Sequence, residues 1–437
     1  MENPPPSSSV KLSLNSRLWP ILTGVLLLLQ VFRPSRTWST LLIILGGAWV
    51  LAFFWTRALA RGLSLERKMR YGWVQVGDQL EEHFAIINKS RLPGLWLEVE
   101  DHSDLPDYSA GRVSSIAARE IMEWRTQGIC TRRGLFSVGP TSLLSGDPLG
   151  LCTVKIRTPR SVVLLVLPPI LPLPMIGIAA GGRAGSGSRP RRAALEATVS
   201  VDTVREYNPG EPLKTIHWPT TARRGSLYVR QFEHMPSSDW WIFLDMESRH
   251  QVGGGSDSTE EHGVILAASL AARGIKEGHR VGMVACGQEL TWIPPRRSSS
   301  QLGEILRALA AIHPGDRPLA DLLRQAQRST QRGASVILIT PNLAGEWAAN
   351  LIQLMRSDIT PTVLLFDPLT FGGPNSPTAT VEMLTEYGIA SHIISRQLLD
   401  RPRAHPRRPG KWEGRVLGAG SAVVVRRPAD TGWRDPA

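Results

Sequence analysis

The sequence predicts three successive structures: a two-helix transmembrane hairpin, a small all-β, sandwich-like domain, and a carboxyl-terminal doubly wound α/β domain. Three observations lead there. Two long apolar runs stand near the amino terminus, short alternating segments follow, and the last third alternates buried-strand patterns with helical ones. The 437 residues suffice for two or three domains with real cores, and 42% hydrophobic with 20% charged residues excludes a disordered chain. Cys130, Cys152 and Cys286 are odd in number and far apart, so they write neither a disulfide framework nor a cysteine zinc site.

After an amino-terminal tail (1–17), the hairpin is expected over residues 18–56. Residues 18–32 are apolar apart from Pro20, Thr23, Gly24 and Gln30, and residues 37–56 carry no charge. A bilayer core of about 30 Å needs about 20 helical residues. The second run meets that length, and the first reaches it with Arg17 and Arg33 snorkelling at its ends. Trp19, Trp38 and Trp55 stand where interfacial anchors belong. A cleaved signal peptide would need a small-residue cleavage site, and a second apolar run begins instead. The 33–37 connection forces a tight turn. Lys11, Arg17, Arg57, Arg61, Arg67, Lys68 and Arg70 flank the pair whereas Arg33 and Arg36 lie in the turn, which places both ends and the bulk of the chain in the cytoplasm, beside the plasma (inner) membrane. Unpaired cysteines agree with a reducing compartment. The net charge of +12 is then mainly topology and contact with anionic lipid.

Residues 63–180 read as the β-rich domain, with strands at 73–76, 83–87, 95–99 and 117–124 separated by Gly77–Asp78, Asn88–Lys89–Ser90 and Pro106–Asp107. A basic Gly/Ser/Arg linker or loop follows at 181–192. Residues 195–236 hold the most distinctive stretch. Pro209–Gly210 suits the centre of a type II turn, Pro212 can open a short helix, and 227–232 alternates as a strand should. A phosphate-loop reading of 210–215 fails for want of glycines and of a preceding strand. In 237–398, strands are expected at 240–245, 281–285, 336–340, 362–366 and 389–395, with helices at 260–273, 301–312, 319–331, 347–356 and 381–387. About six strands make a doubly wound sheet. An Arg/Pro-rich tail occupies 399–437.

Arg205, Tyr207, Pro209–Gly210–Glu211, Ile216–His217–Trp218, Ala222–Arg223 and the segment 227–233 together resemble the signature of the bacterial DUF58 family. Arg132–Arg133–Gly134, the run Asp147–Pro148–Leu149–Gly150–Leu151 and the amino-terminal hairpin are similar to that family as well. Glu211 and Pro219 depart from its usual Asp and Lys. The resemblance implies a von Willebrand factor A-like α/β domain and a genetic association with MoxR-type AAA+ ATPases and transglutaminase-like membrane proteins. It implies no enzymatic activity.

A factor A-like domain would carry a metal loop, D-x-S-x-S, after its first strand. Here the loop reads Asp245–Met246–Glu247–Ser248–Arg249. Asp245 and Glu247 are the hard-oxygen candidates for Mg²⁺ or Ca²⁺, and Arg249 brings a cation that opposes divalent binding. The alternative is that Asp245 caps the next segment or pairs with Arg249. Elsewhere no H-E-x-x-H and no G-x-S-x-G occurs, and no catalytic residue is assigned. The expected interaction surface comprises Arg205, Tyr207, Glu211, His217, Trp218, Arg223 and Arg224.

The leading expectation is therefore a membrane-anchored, cytoplasm-facing interaction module without enzymatic activity or a required cofactor. It would act on lipid on one side and a protein partner on the other, a MoxR-type ATPase in the first place, in the assembly or maturation of a complex. A metal-dependent hydrolase using Asp245, Glu247 and His217 is the second reading. Nucleic-acid binding through the arginines is the third, and it lacks any recognition motif or stacking platform.

Overall fold

The computed structural model describes residues 9–69, 72–159, 161–174, 176–179, 201–206, 218–232, 239–399, 416–417 and 421–422; residues 201–206, 229–232 and the last two pairs are described by their backbone alone. The chain divides into two compact units. The first runs to Pro172 and takes in Leu306–Ala311, and the second comprises Leu173–Ile305 and Ile312–Leu399.

The first unit begins inside the segment read from sequence as a tail. Strand β1 (Ser9–Leu14) precedes helix α1 (Leu18–Phe32), and helix α2 (Arg36–Gly62) leads without a break into β2 (Leu63–Met69). Pro20 lies in the first turn of α1, where no backbone N–H is required. Ser35 caps α2 by accepting from the Trp38 N–H at 3.2 Å. Among the described residues α2 is the one helix long and apolar enough to cross a membrane, and α1 is a shorter apolar helix.

The β-structure continues through β3 (Trp73–Gln75), β4 (Gln79–Asn88), β5 (Gly94–Asp101), β6 (Arg112–Ile116), β7 (Ile121–Ile129), β8 (Gly134–Val138), β9 (Thr141–Gly146), β10 (Cys152–Thr158) and β11 (Val162–Leu167). They form three sheets, ordered β1-β10-β9-β5-β6, β2-β4-β7 and β3-β11-β8. Leu63, Leu65, Phe84 and Ile86 from one sheet meet Leu97, Val99, Leu143, Val154 and Ile156 from another in a shared core, the arrangement of a sandwich. The strand expected at 117–124 is corrected, since residues 117–120 form the turn between β6 and β7 and Arg119 has a positive φ of 59°.

Arg67 corrects the charge reading. Instead of facing a membrane surface, its guanidinium is buried and clasps Glu82 through Nε and Nη2, at 2.9 and 2.7 Å, while Nη1 donates to Asp101 at 2.7 Å and Thr141 at 2.8 Å. Tyr108 donates to the same Glu82 carboxylate. Of the other flanking charges, Arg57 and Arg61 are exposed and Arg70 lies outside the described residues.

The described part of the second unit opens with residues 173, 174 and 176–179. The sequence reading gives them to the β-rich domain, but they lie along the α/β sheet. Ala179 donates to Thr362 Oγ1 and accepts from Ser335 Oγ, and Arg273 donates to the Ile176 carbonyl. The proposed linker at 181–192 lies outside the described residues. Next come β12 (Val201–Glu206), α3 (Trp218–Arg224) and β13 (Tyr228–Phe232), with β12 and β13 paired antiparallel.

The six-stranded sheet is built from β14 (Trp240–Asp245), β15 (Val281–Cys286), β16 (Leu290–Arg296), β17 (Ser335–Thr340), β18 (Thr360–Phe366) and β19 (Ala390–Ile394), in the order β16-β15-β14-β17-β18-β19. Five strands are parallel, and β16 pairs antiparallel to β15 at one edge. The helices are α4 (Thr259–Lys276), α5 (Gln301–Ala311), of which the second unit holds only the part up to Ile305, α6 (Leu319–Ser329), α7 (Ala348–Arg356) and α8 (Thr378–Glu386). Trp241, Phe243, Val336, Leu338, Val363 and Leu365 face α6, α7 and α8. On the opposite face Gly274 of α4 lies against Trp240 and Gly263 against Leu244, where a Cβ would come within 2.6 and 3.0 Å. Covering both faces explains why every residue of β14, β15 and β17 is buried.

Candidate functional site

In an open α/β sheet, groups converge outside the carboxyl ends of the strands where the winding reverses. Here that point is β14, which has β15 on one side and β17 on the other. Asp245 ends β14 and Thr340 ends β17, and Thr340 Oγ1 donates to Asp245 Oδ2 at 2.6 Å. The other Asp245 oxygen accepts the Glu247 N–H at 3.0 Å, so Asp245 does cap the segment that follows it. Burial pushes its carboxyl up to about 6; the Thr340 and Glu247 N–H hydrogen bonds oppose that rise, the charge of Glu247 adds to it, and His250 opposes it.

Glu247 is also buried, and it is the residue that Arg249 pairs with. Arg249 Nε donates to Glu247 Oε1 at 2.7 Å, and Nη2 reaches the same oxygen. Glu247 Oε2 accepts the Leu319 N–H at 3.4 Å and has His250 Nε2 at 3.8 Å. The Arg249 side chain is nevertheless 70% exposed. Backbone bonds from Ser248 to Gly315 and from Gly315 to Met246 fix this loop, and Ser248 Oγ donates to Asp316. Only glycine fits at 315, because a Cβ there would stand 2.2 Å from the Gly287 carbonyl.

This donor set does not fit a divalent cation. Both oxygens of Asp245 are occupied by protein donors, Glu247 is held by a guanidinium and a backbone N–H, and the described residues contain no group of three His, Cys, Asp or Glu side chains suited to a metal. Arg249 supplies the positive charge. Arg249→Ser frees Glu247 and restores a hydroxyl, so it is expected to gain a Mg²⁺- or Ca²⁺-dependent rise in melting temperature that the wild type lacks; differential scanning fluorimetry reads it.

The pH dependence of stability has a definite sign. Asp245 holds its proton more tightly folded than unfolded, so its contribution is fully present below pH 4 and is lost as pH rises through about 6. Asp245→Asn keeps an acceptor for the Glu247 N–H and cannot ionise. It is expected to flatten the fall in melting temperature between pH 4 and 6, as measured by the same method.

The remaining predicted surface residues are only partly described. Arg205 stands on β12 opposite Val229, and Tyr207, Glu211 and His217 lie outside the described residues. Trp218 is 64% exposed on α3, Arg223 and Arg224 are exposed on the same helix, and the Arg224 guanidinium lies 5.4 Å from the centre of the Tyr228 ring. Thr340 and the Leu319 N–H were missed from sequence, although Thr340 could have been found as the hydroxyl that ends the apolar run of 336–339.

Residues 203–375 match the family model described as "Protein of unknown function DUF58". The chain is 24% identical over 261 residues to Uncharacterized protein YeaD of Bacillus subtilis (strain 168), covering 58% of this chain and 63% of that one. It is 27% identical over 162 residues to Uncharacterized protein Rv1480 of Mycobacterium tuberculosis (strain ATCC 25618 / H37Rv), covering 35% and 47%. It thus spans less than two thirds of the length of either relative. Among solved structures, the SpRpn10 VWA domain aligns with a TM-score of 0.26 at 11% identity, over 36% of this chain and 87% of that domain. The CARDB domain of a Pyrococcus furiosus protein aligns with a TM-score of 0.18 at 10% identity, over 24% and 94%.

Proposed function

We propose that the chain is a membrane-anchored, cytoplasm-facing interaction module whose factor A-like α/β unit binds a protein partner through the carboxyl end of its sheet. In this reading α1 and α2 are the two-pass anchor in the plasma membrane. The observation that carries the binding role is Arg249, a guanidinium clasped from within by buried Glu247 and exposed towards solvent at the winding reversal. A guanidinium has five N–H donors, and Arg249 Nη1 takes no part in the clasp. An arginine held in place loses little entropy when it meets a carboxylate, so an acidic side chain of a partner is the complementary group. Trp218 with Arg223 and Arg224 adds a second exposed cluster of the residue types that dominate interface energetics.

The partner we propose is a MoxR-type AAA+ ATPase, with assembly or maturation of a complex as the outcome and a transglutaminase-like membrane protein as a further component. Binding of the detergent-solubilised full chain to the purified ATPase of the same organism tests this, with Arg249→Glu and Trp218→Ala as variants. Arg249→Glu is expected to weaken binding at least about tenfold, which is about 1.4 kcal/mol. No binding by the wild type would refute this partner, and equal binding by Arg249→Glu would refute the site. The hydrolase reading has less support, since Asp245 and Glu247 are engaged with internal donors.

A further inference from the structure

Both ends of the helical pair pass into the sandwich almost directly. Three residues separate β1 from α1, and α2 runs straight into β2. The last turns of α2 are already part of the first unit, with Ala52, Thr56 and Leu59 buried and Leu59 in the sandwich core. The opposite side of α2 stays apolar and exposed through Phe54, then turns basic at Arg57 and Arg61. From Arg36 to Phe54 the helix rises about 27 Å at 1.5 Å per residue. That is close to the thickness of a bilayer's hydrocarbon core, about 30 Å.

One loop of the sandwich packs on α2 at Ala52, close to where this apolar band ends at Phe54. Buried Asp147 accepts the N–H groups of Leu149, Leu151 and Cys152, at 2.8, 3.3 and 2.5 Å, which closes the 147–152 turn on itself. Asn15, between β1 and α1, donates its backbone N–H to the Leu151 carbonyl at 2.9 Å and its side-chain amide to the Gly150 carbonyl at 3.0 Å. Leu151 and Cys152 pack with Ala52 of α2 and Trp19 of α1. The turn is therefore bound to the foot of both helices, and Leu149 in it is 56% exposed.

We infer that the 147–152 turn is a third membrane contact: Leu149 inserts at the lipid interface and seats the sandwich on the bilayer surface. This rests on reading α1 and α2 as a membrane anchor. Leu149 is an exposed apolar side chain in the turn whose Leu151 and Cys152 pack on Ala52, two residues before the last exposed apolar residue of α2, Phe54, and the Asp147 bonds fix the turn without a flexible connection. The test uses the full chain in phosphatidylethanolamine/phosphatidylglycerol vesicles with single cysteines introduced for an environment-sensitive fluorophore. Cys130, Cys152 and Cys286 are buried, and burial pushes each thiol upward, so labelling reports the introduced sites. Ile44→Cys in mid-α2 reports the anchor. Val113→Cys, on the strand at the far edge of the sheet from β1, reports water.

The expected result is loss of emission to lipid-borne spin labels at Ile44→Cys and Leu149→Cys, with Val113→Cys quenched by aqueous iodide. Iodide quenching at Leu149→Cys together with lipid quenching at Ile44→Cys would overturn the seat and leave the anchor standing. Iodide quenching at Ile44→Cys would overturn the anchor and the seat with it.

Discussion

Replacing Arg67 by Met is expected to cost the sandwich about 3–5 kcal/mol, because it leaves buried carboxylates without their cation. Glu82 is fully buried, Asp101 nearly so, and Arg67 meets Glu82 by a two-point fork and Asp101 by a third bond. Burial alone would lower the Arg67 pKa, but its hydrogen bonds to Glu82 and the charges of Glu82 and Asp101 outweigh it and hold the group above its ordinary value. Tyr108 is held up by burial and then by Glu82, so it stays a protonated donor to that carboxylate. Arg67→Lys keeps the charge and loses the fork, so its loss should be smaller. Hydrogen exchange of the full chain in detergent reads the effect in peptides from β2, β4 and β5. Unchanged protection in Arg67→Met would show that the network does not support the unit. Because β2 directly follows α2, the same bonds tie the end of the helix to β4 and β5.

The double role of such residues explains where sequence reasoning stopped. Charge counting places Arg67 on a membrane flank, since a basic residue near an apolar run looks the same whether it faces lipid or an interior acid. Its partners lie 15 and 34 positions downstream and become neighbours only through strand pairing. Periodicity worked where burial is uniform. The continuous apolar runs of β14, β15, β17 and β18 and the helices beside them are legible because both faces of that sheet are covered. β16 was missed because Pro294 and Pro295 argue against a strand, yet an edge strand tolerates proline where no ladder donor is needed. At the candidate site the loop residues were legible as a degenerate metal motif. That Arg249 would select Glu247 over Asp245 was not, because Asp245 is enclosed by Thr340 from a strand 95 residues away.

Trp347→Ala is expected to cost about 3–5 kcal/mol in the second unit and to loosen the candidate site at the same time. Trp347 is among the largest fully buried side chains and packs in the core shared by α6, α7 and the sheet. Its indole Nε1 donates to the Asn342 carbonyl at 3.2 Å. Asn342 donates its N–H to Thr340 Oγ1 at 2.9 Å and accepts the Ala344 N–H at 2.8 Å, and Thr340 donates in turn to Asp245. The loop after β17 is thus held between the core indole and the Asp245 carboxylate. Truncation opens a cavity under the loop and removes its anchor, whereas Trp347→Phe fills most of the volume and loses only the N–H, at about 1 kcal/mol. Hydrogen exchange over residues 335–347 separates the two: Trp347→Ala should lose protection throughout, and Trp347→Phe mainly at Asn342 and beyond. If binding of the proposed partner falls with loop protection in Trp347→Ala and survives in Trp347→Phe, then the rigidity imposed by the indole's packing, rather than its hydrogen bond, is what presents Arg249 in a fixed geometry. Equal binding by both variants would mean that the Glu247 clasp alone suffices to position Arg249.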